Sequence, residues 1–437
     1  MKPTSLTTAI IEILDIINNS KIPADKIISF WNKNNRYAGS KDKSFISESV
    51  YNILRNKGQI QWWIKYLDCN LNNRTIIICY YHFTNQNIKN MLNDTKNKYA
   101  PSPISNAELK FIEKLKEYNS LDHNEMPIHD KLNISEYLYN KFFEFYGEQT
   151  PEVLSVMNTE ANVDIRVNNL KSNTEQVTKE LEEQGIETTK LPIISNGLRL
   201  NKRFALSSLK IFKSGFFEIQ DYGSQIVSKL INAKKGDKIV DFCAGAGGKT
   251  LAMADDMENT GRIIYCDISE KRINRAGIRL RRSGVNNAEK RLLSSEKDKW
   301  IKRRNNRFNG GFDKVVVDTP CSGTGTWRRN PDQKWRTNEQ TINELCILQE
   351  SILQSSSRLV RPGGKLIYIT CSLLKDENET QVDKFLNNNK DFYLCDINNT
   401  WNDVFQQQNI NKNKTLRIST HQNNSDGFFM AILERSI

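Results

Sequence analysis

The stretch Val315–Arg329, VVVDTPCSGTGTWRR, decides how the rest of the chain is read. Val315, Val316 and Val317 are consecutive β-branched residues, the pattern of a strand covered on both faces in a parallel sheet. Asp318 ends that strand, and Pro320, Gly323 and Gly325 turn the backbone into a loop. A carboxylate, Asp318, and a thiol, Cys321, are thereby carried to the carboxyl edge of a sheet, where open α/β folds bind ligands. Taken alone, the stretch reads equally well as a buried strand, a solvated turn and a cysteine serving as a small hydrophobe.

Working outward, the pattern from Phe216 onward alternates strand and helix, which predicts a doubly wound α/β sheet. Ser224–Ala233 reads as a helix with Ser224 as its N-cap. Lys238–Phe242 reads as a strand running into CAGAGGKT, Cys243–Thr250, followed by a helix, a strand at Arg262–Asp267 and a helix at Glu270–Arg282. Beyond Arg329 come a long helix over Asn338–Leu359 and a strand, Lys365–Thr370, that ends at a second thiol, Cys371. A helix at Glu377–Leu386 and late strands including Gly427–Leu433 close the sheet.

Two further regions precede this core. Thr150–Lys213 reads as a small α+β unit, with strands at Val163–Val167, Leu191–Ile194 and Phe204–Ser208 and a helix at Glu175–Gln184. The first 145 residues read as helical: Leu6, Ile10, Ile13, Leu14 and Ile17 recur at helical spacing, as do Ile46, Val50, Ile53 and Leu54. Trp62, Trp63 and Tyr66 fit core and boundary positions better than a base-stacking platform. The expected domains are 1–145, 150–213 and 214–437.

A net charge of +12 favours an anionic partner, most often nucleic acid, although solvated lysines on a basic protein give the same number. The eight cysteines include no CxxC pair and the four histidines are scattered, so neither a metal site nor a disulfide framework is indicated. Glu12 and Asp15 interrupt the first apolar pattern, which argues against a signal peptide, and no apolar run reaches membrane-spanning length. The expectation is a cytoplasmic protein with reduced thiols, no metal and no membrane, and a monomer by default.

Cys243–Thr250 is neither a P-loop, which needs glycine at Cys243, nor a dinucleotide fingerprint, which needs glycine at Thr250. What remains is a glycine-rich strand-to-helix turn whose bare backbone admits a ligand and whose helix N-terminus favours an anion. Asp267, ending the next strand, is placed to accept from ribose hydroxyls. An adenosine with a carboxylate tail fits the pair, and S-adenosylmethionine is such a molecule; a tight turn and a solvated acid is the competing reading. Cys321 and Cys371 follow strands separated by one helix, so a right-handed crossover can bring both to one cleft. Paired thiols beside a methyl donor suggest covalent activation of a pyrimidine at C6, though either cysteine taken singly reads more readily as buried structure.

DFCAGAGGKT, YCDIS, VVVDTPCSGTGTWRRNPD and YITCSLLKDENE, in that order, resemble the signature set of bacterial Sun/Fmu-type (RsmB-like) RNA cytosine-5 methyltransferases. GFFEIQD (Gly215–Asp221), DGFFMA (Asp426–Ala431) and DIRVN (Asp164–Asn168) also match, and Tyr37–Arg55 is more weakly similar to the NusB-like helical domain of that family. The resemblance implies a Rossmann-like class I S-adenosylmethionine-dependent methyltransferase core behind a helical NusB-like domain and a small ferredoxin-like subdomain. It further implies that Cys371 attacks the ring, that Cys321 assists release, and that Asp318 lies near cofactor and base. Cys243, Ala244, Gly245, Ala246, Gly247, Gly248 and Lys249 would surround the methionine part, Asp267 the ribose, and Lys249 would also lend the active site a fixed positive charge. The implied partner is RNA, 16S rRNA in particular; transfer RNA, or an assembly factor without turnover, are the alternatives. Ala246 stands where the family often has proline, and no adenine-side acid is assignable among Ser295, Glu296 and Asp298. The basic run Lys299–Arg307 reads as a loop, either RNA-facing or merely solvated.

Overall fold

The computed structural model describes residues 1–308, 311–407 and 413–437. The chain divides into a helical unit, Met1–Thr159 with Trp327–Asn338, and an α/β unit, Glu160–Thr326 with Glu339–Ile437.

In the helical unit the periodic apolar residues face inward. Helix Pro3–Asn19 buries Ile10, Ile13, Leu14 and Ile17, and helix Ser40–Arg55 buries Ile46, Val50, Ile53 and Leu54. Trp63 is wholly buried with its indole N–H on the Leu121 carbonyl at 2.8 Å, while Trp62 stacks on Tyr66 at its side. The polar stretch after Phe83 contains the helices Ile88–Leu92, Asn106–Leu115 and Ile128–Lys131, which its Asn- and Lys-rich composition hides. Trp327–Asn338, inside the span expected to be catalytic, packs as part of this compact unit. Its Trp335 indole donates to the Leu54 carbonyl at 2.7 Å, its Lys334 amine to the Arg55 carbonyl at 3.0 Å, and its Asp332 accepts from the Ala24 N–H at 3.1 Å. These contacts join residues far apart in sequence, so no local pattern announces them.

The α/β unit begins with a small antiparallel sheet. Its strands are β1 (Val163–Val167), β2 (Thr188–Lys190), β3 (Gly197–Leu200) and β4 (Phe217–Ile219), in the order β2-β3-β1-β4. The strands expected at Leu191–Ile194 and Phe204–Ser208 are not strands. Residues 191–194 form the tight connection between β2 and β3, in which Gly197 N donates to Ile194 O at 3.0 Å, and Leu206–Ser208 is a single 3-10 turn. A Cβ on Gly197 would lie 2.8 Å from the Leu191 and Gln225 side chains, which would have to shift to admit one.

The large sheet uses β5 (Lys238–Asp241), β6 (Arg262–Asp267), β7 (Ala288–Leu292), β8 (Phe312–Asp318), β9 (Val360–Thr370), β10 (Phe392–Leu394), β11 (Leu416–Ile418) and β12 (Phe428–Arg435). The order is β10-β12-β9-β8-β5-β6-β7, with β11 paired to β12. β9, β8, β5, β6 and β7 run parallel, and β12 returns antiparallel to β9. Along β8 the side chains alternate between two cores: Val316 joins Ile239, Ile263, Ile367 and Ile369, while Val315 and Val317 join Val240, Ile264, Leu366 and Tyr368. Each such side chain contributes about 1.5–3 kcal/mol by burial, which pins the register. The chain winds outward from β5 through β6 to β7, then lays β8 on the other side of β5. The strand order therefore reverses between β5 and β8, and a crevice opens at their carboxyl ends.

Within this unit the small sheet is anchored to the large one. Arg166 on β1 pairs with buried Asp255 at 3.1 Å, and Asn168 donates to the Ser283 carbonyl at 2.9 Å. Helix Tyr222–Leu230 is capped not by Ser224 but by Asp221, which accepts from Gly223 N at 2.8 Å. Lys299–Phe308 is a helix rather than a loop; the side chains of 305–308 lie outside those described. Among the described residues no helix is long and apolar enough to cross a membrane, and no group of three His, Cys, Asp or Glu could hold a metal ion.

Candidate active site

The carboxyl ends of β5, β6, β8 and β9 carry the residues singled out by the sequence. β8 and β9 pair with Asp318 opposite Ile369, so Cys321, three residues past Asp318, and Cys371, two past Ile369, leave the sheet almost level. Their sulfurs lie 3.4 Å apart, and both residues are partly exposed. The loops are joined by backbone: Gly325 N donates to Cys371 O at 2.9 Å and Gly427 N to Gly325 O at 2.8 Å. A Cβ on Gly325 would stand 2.3 Å from the Gly427 carbonyl oxygen, so the close approach requires glycine.

The Cys321 thiol is pushed well up, first by its hydrogen bond with Cys371, then by burial and by the charges nearby. It therefore holds its proton at neutral pH. Lys249, on the first turn of helix Gly248–Asp256, donates to Asp318 at 2.6 Å and lies 5.4 Å from the Phe428 ring centroid. This ion pair joins the helix that follows β5 to the end of β8.

The turn Cys243–Gly248 lies beside it. Gly247 takes a left-handed φ of 80°, a Cβ on Gly248 would meet no atom within 4 Å, and one on Gly245 only the Cys243 carbonyl at 4.0 Å. A bare strip of backbone thus faces open space where the helix begins. Ala246, in the place of proline, gives its carbonyl to Arg279 at 2.8 Å. Asp267 accepts from Gly245 N at 3.0 Å, Ser269 N at 2.7 Å and exposed Arg272 at 3.0 Å. A carboxylate offers about four acceptor sites, so one remains for a hydroxyl, and a second if Arg272 swings into solvent. Burial raises the Cys243 thiol, reinforced by Asp241, Asp318 and Asp267, which keeps it protonated. The residues left open near the adenine side are otherwise engaged: Asp298 accepts from Ser294 N and Trp300 N at 2.8 Å each, and Glu296 accepts from Ser351 Oγ at 3.0 Å.

Two residues at this edge were missed by sequence reading. Glu377 is taken up below. Asp241 ends β5, is fully buried and accepts from Thr250 Oγ1 at 2.6 Å, while its Oδ1 has no hydrogen-bond partner. Burial, offset by the Thr250 hydroxyl and reinforced by Asp318, pushes its carboxyl up to about 7 from the usual 3.8. The folded state therefore binds this proton more tightly than the unfolded state. The stability involved is complete below the ordinary carboxylate range and is lost as pH rises through about 7. Asp241→Asn keeps an acceptor for Thr250 and removes the titration. Its stability relative to wild type is expected to be greater at pH 8 than at pH 5 by roughly 1–3 kcal/mol, read by denaturant unfolding; equal differences at both pH values would dismiss the raised carboxyl.

A family model described as 16S rRNA methyltransferase RsmB/F matches residues 228–434, and one for the RsmF/B-like ferredoxin-like domain matches residues 134–207. A "Probable ribosomal RNA small subunit methyltransferase B" of Synechocystis sp. is 31% identical over 346 residues, which cover 77% of this chain and 74% of that protein. The chain belongs to the RsmB/F methyltransferase family. A second member, the ribosomal RNA small subunit methyltransferase B of Photorhabdus laumondii, is 29% identical over 69% of this chain and 66% of its own length. Among solved structures, the crystal structure of PH0851 superposes with a TM-score of 0.79 at 25% identity over 100% of this chain and 99% of that one. A methyltransferase homolog protein from Pyrococcus horikoshii covers 70% of this chain and 97% of its own, at 26% identity and a TM-score of 0.59. The doubly wound methyltransferase core, the ferredoxin-like sheet and the helical N-terminal region are thus those of an RsmB/F protein. The ferredoxin-like match begins at residue 134, just before helix Glu136–Tyr146 and ahead of the 150–213 span expected for that subdomain.

Proposed function

We propose that this RsmB/F protein transfers a methyl group from S-adenosylmethionine to C5 of a cytosine in small-subunit rRNA, through a covalent bond between Cys371 and C6 of the ring. The observation that carries the reading is the 3.4 Å separation of the Cys321 and Cys371 sulfurs beside the Lys249–Asp318 pair. Binding alone needs neither thiol.

The glycine-rich turn Gly245–Gly248 and the remaining acceptor capacity of Asp267 fit S-adenosylmethionine: helix N–H groups for its carboxylate, an acidic acceptor for its ribose. When bound, it supplies the electrophilic methyl group that C5 takes up. Cys321 and Cys371 share a hydrogen bond that holds the two sulfurs 3.4 Å apart. The Cys371 thiol gives its proton to solvent as its sulfur forms a bond to C6, and the C5–C6 pair shifts toward C5. Asp318, oriented by Lys249, faces the ring edge and stabilises the added state. Once the Cys371 sulfur is bound to carbon, its hydrogen bond with Cys321, the first cause raising that thiol, is weakened. With its own proton passed to solvent, Cys321 as thiolate accepts the C5 proton, the electron pair left at C5 re-forms the C5–C6 bond, and the Cys371 sulfur leaves as thiolate. A thiol must approach above the ring, so the target cytosine is unpaired or flipped out of its helix.

The test is transfer of tritiated methyl from S-adenosylmethionine to 16S rRNA from a strain lacking the gene, followed by bisulfite sequencing. Label confined to one 5-methylcytosine is expected. Label in another base would overturn the chemistry, and label in transfer RNA alone would overturn the substrate.

A further inference from the structure

Each of the two cysteines is followed by a serine, Ser322 and Ser372, and one carboxylate holds both serines. Glu377 is fully buried. Its Oε1 accepts from the Ser322 backbone N–H at 2.8 Å and from Gln349 Nε2 at 2.9 Å. Its Oε2 accepts from the Ser372 hydroxyl at 2.5 Å and from the Ser322 hydroxyl. Among the described residues no lysine or arginine forms an ion pair with it. Four neutral donors thus fill about all the acceptor sites a carboxylate has, which is what keeps a buried charge tolerable. The tie is doubly supported: Leu374 N donates to Ser372 Oγ at 3.1 Å, and Asn378, next to Glu377, donates to Ser372 O at 2.9 Å. The Tyr368 hydroxyl holds the Glu377 carbonyl at 2.6 Å.

We propose that Glu377 is a positioning residue that sets the distance between Cys321 and Cys371 by clamping the residue after each sulfur to a single carboxylate. The consequence for catalysis rests on the reading given under Proposed function; the geometric claim does not. The two loops leave separate strands and also meet at Gly325 N–H on the Cys371 carbonyl and Leu373 N–H on the Thr324 hydroxyl, but it is the Glu377 carboxylate that holds the residue after each sulfur. A displacement of about 1 Å between reacting groups costs on the order of 100-fold in rate, so a clamp one residue away from each sulfur has leverage. Glutamine is the informative replacement. Its carbonyl can accept from Ser322 N–H and Gln349, and its amide can donate to the serine hydroxyl oxygens, so the clamp survives without the charge.

The experiment uses the full chain and three variants: Glu377→Ala, Glu377→Gln and Ser372→Ala. The first readout is the rate at which diamide joins Cys321 to Cys371. Both thiols lose a proton and an electron, the S–S bond forms, the azo oxidant becomes its hydrazine, and peptide mass spectrometry identifies the pair. Removing the Glu377 charge changes the thiolate fraction, and comparing Ala with Gln, both uncharged, cancels that effect. Glu377→Ala is expected to form the disulfide at least about 10-fold more slowly than Glu377→Gln. Ser372→Ala, which removes one hydroxyl only, is expected to slow it relative to wild type. The second readout is methyl transfer: Glu377→Ala should lower kcat about 100-fold with KM for S-adenosylmethionine little changed, and Glu377→Gln should restore most of it. Disulfide formation at the wild-type rate in Ser372→Ala, or equal rates in the Ala and Gln variants, would overturn the clamp. Slowed disulfide formation in a protein whose wild type methylates no RNA would leave the clamp standing and sink the functional reading instead.

Discussion

Cys371→Ala is expected to lose methyl transfer to RNA by a factor on the order of 10⁴ or more, the scale seen when a nucleophile is removed, while still binding S-adenosylmethionine. The two halves of that result have separate physical causes. Without a sulfur at the end of β9, C6 of the ring has no nucleophile and C5 stays too electron-poor to take a methyl group. Cofactor affinity depends on the bare Gly245–Gly248 backbone and on Asp267, at the ends of β5 and β6, which the substitution leaves alone. Single-turnover transfer of tritiated methyl measures the first and equilibrium dialysis the second. Wild-type turnover by the variant would refute the assignment of Cys371 as nucleophile, and a parallel loss of binding would show that the change acted through the cofactor site.

Cys321→Ala should behave in the opposite way and trap the reaction partway. The first bond, Cys371 to C6, can still form, but no second sulfur stands 3.4 Å from it whose thiolate can take the C5 proton. A protein–RNA adduct that survives denaturing electrophoresis is expected to accumulate when both RNA and S-adenosylmethionine are supplied. Adding Cys371→Ala to the same chain should abolish it. If no such complex forms on an RNA the wild type methylates, the division of labour between the thiols is wrong. If it forms in Cys371→Ala instead, the roles are exchanged.

Several features were readable before any coordinates. Val315–Val317 announces a doubly covered strand because three consecutive β-branched residues leave no solvent face. Alternating strand and helix patterns from β5 onward imply the parallel sheet, and Glu270–Arg282 emerges as a helix at the expected bounds because Ser269 caps it and its apolar residues keep one face. The small sheet was harder. Leu191–Ile194 is apolar enough to look like a strand but is spent on a connection, while Gly197–Leu200, with glycine and arginine among four residues, carries a weak signal. Helices after Phe83 were hidden because few apolar residues suffice when short segments lean on a core built elsewhere.

By itself the sequence determined which groups would stand at one edge of the α/β sheet: a strand-ending carboxylate at Asp318, a strand-ending thiol at Cys371 and a bare glycine turn, since these follow from local pattern and turn chemistry. Tertiary structure alone decided their distances. The register of β8 on β9 is set by which valines and isoleucines fill the two cores, and that register levels Cys321 with Cys371. Only folding puts Asp241 out of reach of water, moves Trp327–Asn338 into the helical unit, and gathers Ser322, Gln349 and Ser372 around Glu377. Burial and hydrogen bonding between residues distant along the chain leave no trace in local periodicity, because each partner alone looks like an ordinary polar side chain.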